Sequence, residues 1–106
     1  MIIYEVNLTV QPEIADAYAA WLAAHVREML TFDGFEAAEW LEDAEAEGPA
    51  RRWTVQYRVR SPEHLRRYFD AHAERMRGEG VERFGGRFSA TRRILRMREA
   101  FAEAGG

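Results

Sequence analysis

The chain of 106 residues has no cysteine and no lysine. The first absence excludes disulfides, thiolate metal sites and cysteine nucleophiles. The second leaves arginine to supply all fifteen positive charges, a bias that, beside abundant alanine, points to GC-rich coding rather than to a site. No apolar run exceeds the length of a strand, and no basic N-terminal region leads into an apolar stretch with a cleavage site, so neither a membrane span nor a signal peptide is expected. Cytoplasmic residence is the default expectation.

At 47% hydrophobic and 31% charged residues, the chain suits one compact domain. That domain is expected over residues 1–98, with 99–106 as a C-terminal tail. Charge is unevenly placed: residues 1–50 hold one Arg against eleven acids, and residues 51–106 hold fourteen Arg against seven acids. Such asymmetry fits either a nucleic-acid surface or an internal match between acidic and basic elements.

The opening MIIYEVNLTV alternates as a strand, with Ile2, Tyr4, Val6, Leu8 and Val10 on one face and Ile3, Glu5, Asn7 and Thr9 on the other. Pro12 suits a first helical position, and Ile14, Tyr18, Trp21, Leu22, His25, Val26 and Met29 recur at helical spacing up to about Leu30. Asp33-Gly34 breaks this helix, and FEAAEWLED reads as a second strand from its position. RRWTVQYRVR alternates throughout and is the clearest strand. Ser61-Pro62-Glu63 then opens a helix expected to run to about Arg77. GEGVERFGG reads as a turn with a short helical piece near Val81 to Phe84, and RFSATRRILRM as the last strand, with a bulge expected at its Arg pair.

The order strand, helix, strand, strand, helix, strand predicts a ferredoxin-like α+β domain: a four-stranded antiparallel sheet with two helices on one face. Its helix-facing core is expected to contain Tyr4, Val6, Leu8, Leu22, Trp53, Val55, Tyr57, Leu65 and Phe69. The other face would stay open unless a second copy covered it, giving a homodimer. The second and fourth strands would be the sheet edges, so acidic Glu36, Glu39, Glu42 and Asp43 of one subunit could meet basic Arg87, Arg92, Arg93, Arg96 and Arg98 of the other.

YEVN, the helical WLAAH, VQY and ERFGGRFSATRRIL together resemble a bacterial family of unknown function within the dimeric α/β-barrel superfamily, over about residues 1–97. The resemblance implies a fold and dimerisation, not an activity. Relatives in that superfamily include cofactor-independent quinone-forming monooxygenases, small isomerases, haem-degrading enzymes and stress-response proteins.

In a face-to-face dimer, Glu5, Asn7, Thr9, Thr54, Gln56 and Arg58 would line one cavity. The candidate ligand-binding residues are Glu5, Asn7, Gln56, Arg58, Arg92 and Arg93, with Glu5 and Arg58 expected as a pair. The competing reading is that these charges satisfy one another at an interface. Strand alternation does not choose between Arg92 and Arg93. His25 and His72 fall on apolar helix stripes, each with Met four residues on, and are expected as core histidines bonded to backbone carbonyls; His64 is expected in solvent. No metal site and no cofactor are expected. Asn7 matches the strand asparagine of the haem-degrading relatives, but the second helix lacks a histidine at comparable spacing. The third strand lacks the exposed rings of an RNA-binding sheet, the net charge is −3, and no nucleic-acid partner is expected. GEGVERFGG carries no phosphate-loop signature, and Ser61 and Ser89 read as cap and strand residues, leaving no Ser-His-Asp arrangement. Two classes of function stay open: a small-molecule-binding or structural module, and a cofactor-independent monooxygenase or isomerase acting on a small aromatic or polyketide-like compound. Cavity volume discriminates them: a cleft of roughly a few hundred cubic ångströms with converging polar groups supports a ligand, and a filled interior supports the module.

Overall fold

A computed structural model describes residues 1–105. Strand β1 (Ile2–Val10) leads through one 3-10 turn at Pro12–Ile14 into helix α1 (Ala15–Met29). Strands β2 (Phe35–Glu42) and β3 (Arg51–Val59), helices α2 (Pro62–Ala71) and α3 (Ala73–Phe84) and strand β4 (Phe88–Arg96) complete the order. The sheet runs β2-β3-β1-β4 and every neighbouring pair is antiparallel. This is the ferredoxin-like α+β fold, with the helices on one face and β1 and β3 central. Residues 97–105 add no helix or strand. The tail expected over 99–106 ends on Gly106, which lies outside the described residues.

The two faces of β1 differ as its alternation requires. Tyr4, Leu8, Leu22, Trp53, Val55, Tyr57 and Leu65 are buried in the helix-facing core. Val6 and Phe69, expected there as well, are half-buried and packed against it. The aromatic side chains interlock: Tyr4 lies 5.9 Å from Tyr57 and 5.5 Å from Phe69, and Tyr18 lies 5.0 Å from both Phe84 and Phe88, measured between ring centres.

The long second helix expected to Arg77 is instead two. His72 leaves helical geometry at φ −133°, while its N–H still donates to the Tyr68 carbonyl and its own carbonyl accepts from the Met76 N–H. Its ring stacks on Phe32 at 4.1 Å. The Gly-rich run is a turn only at its end: Gly78 and Gly80 lie inside α3, which includes the helical piece expected at Val81 to Phe84 and which buried Ala73, Met76 and Phe84 anchor to the core, and a 3-10 turn at Gly85–Arg87 follows it. A Cβ on Gly80 would come within 2.9 Å of the Trp21 ring, so this residue lets α3 approach α1 closely. The bulge expected in β4 is absent, because β4 pairs with β1 in unbroken register from Phe88 to Arg96. The irregularity falls in β2, between Phe35 and Ala37.

Two glycines should respond oppositely to alanine. Gly34 has φ +85°, and a Cβ there would meet the His64 ring at 2.4 Å, so Gly34→Ala should cost more than about 1 kcal/mol. Gly78 lies in a helix interior, and a Cβ added to it would meet nothing within 4 Å, so Gly78→Ala should stabilise by about 0.5–1 kcal/mol. Denaturant unfolding of both variants checks the pair.

Candidate functional site

On the open face, antiparallel register sets Glu5 of β1 between Gln56 of β3 and Arg93 of β4. The Glu5 carboxylate accepts from Gln56 Nε2 at 2.8 Å, Asn7 Nδ2 at 3.0 Å and Arg93 Nε at 2.5 Å. Thr54 Oγ1 donates in turn to Asn7 Oδ1 at 2.7 Å. Although this face carries no helix, Glu5 is only 4% exposed, because its neighbours cover it. The Arg93 bond first, then those from Asn7 and Gln56, hold its carboxyl at about 2 against desolvation, which acts the other way. A carboxylate bonded from three side chains has little capacity left to serve as a general base. The network reads as a structural clamp.

The expected Glu5–Arg58 pair does not form. Arg58 shares the open face but stands opposite Ile3, one pair further along, and its guanidinium lies 3.7 Å from Glu39 of β2. Arg60 similarly faces Glu36 at 3.5 Å, so β2 acids meet arginines of β3 and its following residue within the chain. Arg93 takes the Glu5 position, and alternation sends Arg92 to the opposite face. Of the six candidate residues, Glu5, Asn7, Gln56, Arg58 and Arg93 share the open face, and Arg92 does not. A depression of about 380 Å³ on that face is bordered by Asn7, Thr54 and Thr91, but not by Glu5.

A cavity of about 350 Å³ lies between the sheet and the helices. It is bordered by Tyr4, Val6 and Tyr57 from the sheet, Tyr18, Trp21 and His25 from α1, Tyr68 from α2, Arg77 from α3 and Arg92 from β4. This explains why Val6 is not fully covered. All four tyrosines of the chain border it. Burial pushes the phenols of Tyr18 and Tyr57 well up and that of Tyr68 to about 12, so all three remain neutral donors at neutral pH. Burial is also the main cause that pulls His25 below its ordinary value, partly opposed by Glu79 and Glu28. The His25 ring stacks on Trp21 at 4.6 Å, and its Nδ1 is buried without a hydrogen-bond partner among the described residues. That corrects the expected bond to a backbone carbonyl. Strand and helix periodicity marked Tyr4, Val6 and Tyr57 only as core; the available signal was the placing of hydroxylated rings at core positions.

The turn before α2 brings together Ser61, His64 and Asp33, an arrangement not legible from spacing. Ser61 Oγ lies 2.6 Å from His64 Nδ1, and Asp33 lies 3.6 Å from His64 Nε2. Ser61 Oγ also accepts the His64 backbone N–H as the helix cap at 3.3 Å. His64 is therefore largely covered against Gly34 instead of lying in solvent. Neither cavity borders this cluster, which leaves it a capping role.

Among the described residues there is no cluster of three His, Asp or Glu suited to a metal ion, and no helix long and apolar enough to cross a membrane. The family model for a domain of unknown function, DUF4286, matches residues 1–98. No curated protein matches the chain. Among solved structures, a Deinococcus radiodurans protein provisionally named an antibiotic biosynthesis monooxygenase is 13% identical, with 99% of this chain and 100% of that one covered and a TM-score of 0.78. The cofactor-independent oxygenase SnoaB of Streptomyces nogalater, in a mutant form, is 10% identical over 96% and 98% of the two chains, with a TM-score of 0.73. The de novo designed protein Foldit4 is 15% identical over 92% and 98%, with a TM-score of 0.62. At these identities the likeness is one of fold, and its extension to a designed protein underlines that the fold alone does not carry an activity.

Acid unfolding should separate the two faces. His25 is depressed, so the stability it contributes is complete above about 6.5 and declines as pH falls below that, when the unfolded chain takes up the proton. Glu5 is also depressed, so its contribution is lost lower, between its ordinary value of 4.5 and about 2. His25→Phe should remove the upper decline and Glu5→Gln the lower one. At neutral pH Glu5→Gln should lower stability, because a neutral amide at this covered position cannot accept all the bonds that Asn7, Gln56 and Arg93 give the carboxylate. Urea midpoints measured from pH 8 to pH 2 check both, and an unchanged profile in either variant contradicts its assignment.

Proposed function

The chain belongs to the DUF4286 family, and we propose that it is a small-molecule-binding protein whose ligand is a flat, mainly apolar ring compound held between the sheet and the helices. The observation that carries this reading is the cavity of about 350 Å³, which falls within the ordinary size of a small-molecule site of roughly 300–1,000 Å³. Its tyrosine hydroxyls and the neutral His25 supply a few polar groups in an apolar wall, the composition that orients a ligand. Of the six residues singled out from the sequence, the proposed ligand site includes Arg92, while Glu5, Asn7, Gln56, Arg58 and Arg93 hold the sheet and its open face. That face is proposed to meet a second copy in a cytoplasmic homodimer, with residues 1–98 as the folded unit.

A second reading, cofactor-independent oxygenation or isomerisation of a small aromatic or polyketide-like compound, is favoured by His25. Such chemistry begins with removal of a proton from the substrate, and a neutral imidazole bordering an apolar cavity is suited to accept one. The name of the Streptomyces nogalater neighbour describes that protein as a cofactor-independent oxygenase.

Calorimetric titration with 2-naphthalenemethanol, a neutral two-ring probe, tests the binding reading. The wild type should bind it, and Val6→Phe, which fills the cavity from β1, should weaken binding at least about tenfold while keeping the unfolding midpoint. No heat of binding across a panel of two- and three-ring compounds contradicts the proposal. Sedimentation tests the assembly: twice the chain mass is expected, and Leu95→Glu on the open face should reduce it to one. Oxygen uptake with hydroxylated ring substrates, lost in His25→Phe, distinguishes the enzyme from the binding module.

A further inference from the structure

Every charged residue bordering the helix-side cavity is an arginine: Arg77 from α3 and Arg92 from β4. No carboxylate borders it. Glu28 and Glu79, the acids whose charge is felt at His25, are engaged by Arg75 at 3.1 Å and 2.9 Å. Neither Arg77 nor Arg92 takes part in an ion pair among the described residues. Arg77 is not idle: its Nη2 donates to the Tyr4 hydroxyl at 3.0 Å, and its guanidinium lies 5.6 Å from the centre of the Phe69 ring. These contacts fix its direction and leave most of its five N–H donors unused. Both arginines are exposed as residues and border the cavity, and the Arg77 head reaches the hydroxyl of buried Tyr4.

We infer that the cavity takes an anionic ring compound, an aromatic carboxylate or an ionised phenol or enol, whose negative oxygen is held by Arg77 and Arg92. This rests on the binding reading above and adds the charge of the ligand to it. Two uncompensated guanidiniums beside an apolar chamber form an amphiphilic site: rings enter among the tyrosines, and the charged end stays at the hydrated rim. A planar guanidinium offers a carboxylate two parallel donors, which an ammonium cannot do, and a pre-oriented Arg77 loses little freedom on binding. The field of Arg92 reaches the interior, since it favours the ionised forms of Tyr18, Tyr57 and Tyr68 and disfavours protonation of His25. An oxyanion brought into the cavity would feel the same attraction.

The probes are 2-naphthoate and its neutral counterpart 2-naphthalenemethanol, titrated calorimetrically at low ionic strength. The wild type should bind the naphthoate at least about tenfold more tightly, as one charge-assisted contact predicts, and added salt should shrink that preference. In the Arg77→Gln, Arg92→Gln double variant the preference, read as the ratio of the two affinities in that same variant, should fall to within about twofold. Arg92→Gln alone, which leaves the Tyr4 bond intact, should lose part of the preference and guards against a double variant that fails to fold. Equal affinity for the two probes in the wild type overturns the inference but leaves the binding site standing. A preference retained in folded variants overturns it too. Failure of both probes to bind the wild type removes the binding reading and this inference with it.

Discussion

Glu5 is bonded from both neighbouring strands at once, and the division of the sheet into two unlike faces depends on where that carboxylate stands. Side chains alternate with a period of two, so a slip of one residue would carry Glu5, Asn7 and Thr9 into the aromatic core and expel Tyr4 and Leu8. Gln56 on β3 and Arg93 on β4 meet Glu5 only in the observed register. The polar clamp and the apolar face therefore select the same alignment of the three strands, one by satisfying a charge and the other by burying rings. The tyrosine cavity is a consequence: with β1 held in register, Tyr4, Val6 and Tyr57 turn together toward the helices.

The helices complete that chamber without filling it. Gly80 admits the Trp21 ring close to α3, Trp21 stacks on His25, and the turn at His72 redirects the chain so that Met76 is buried while Arg77 reaches Tyr4. Packing is tight around Met76, Val10 and Val59, which are fully covered, and open around Val6. Such unevenness in a small domain forgoes apolar burial beside the sheet.

The architecture was legible because the strands alternate cleanly and Ser61-Pro62-Glu63 marks a helix start by its local chemistry. The face of the site was less so. Alternation showed that Glu5 and Arg58 share a face, but pairing depends on register, which set Arg58 beside Glu39 and brought Arg93 to Glu5. The adjacent pair Arg92 and Arg93 had to divide between faces, yet the mixed apolar phase of FSATRRIL suggested a bulge; unbroken pairing shows that Ile94 simply lies exposed on the helix-facing side near the edge. Gly78 and Gly80 imitated a turn because local propensity opposes helix, and tertiary anchoring by Met76 and Phe84 prevailed. The cavity itself was hidden, since an aromatic residue that lines a void and one that fills a core give the same periodicity.

The central claim is that the helix-side chamber receives ligand and the Glu5 face does not. Its most direct measurement is an NMR titration of the protein with 2-naphthoate, read at resonances on both faces. The expected result is concentration-dependent shifts at the Trp21 indole, the His25 ring and the Arg77 and Arg92 guanidinium groups, with Asn7, Gln56 and Arg93 unmoved. Shifts confined to Asn7, Gln56 and Arg93 would contradict it and return the ligand to the open face of the sheet.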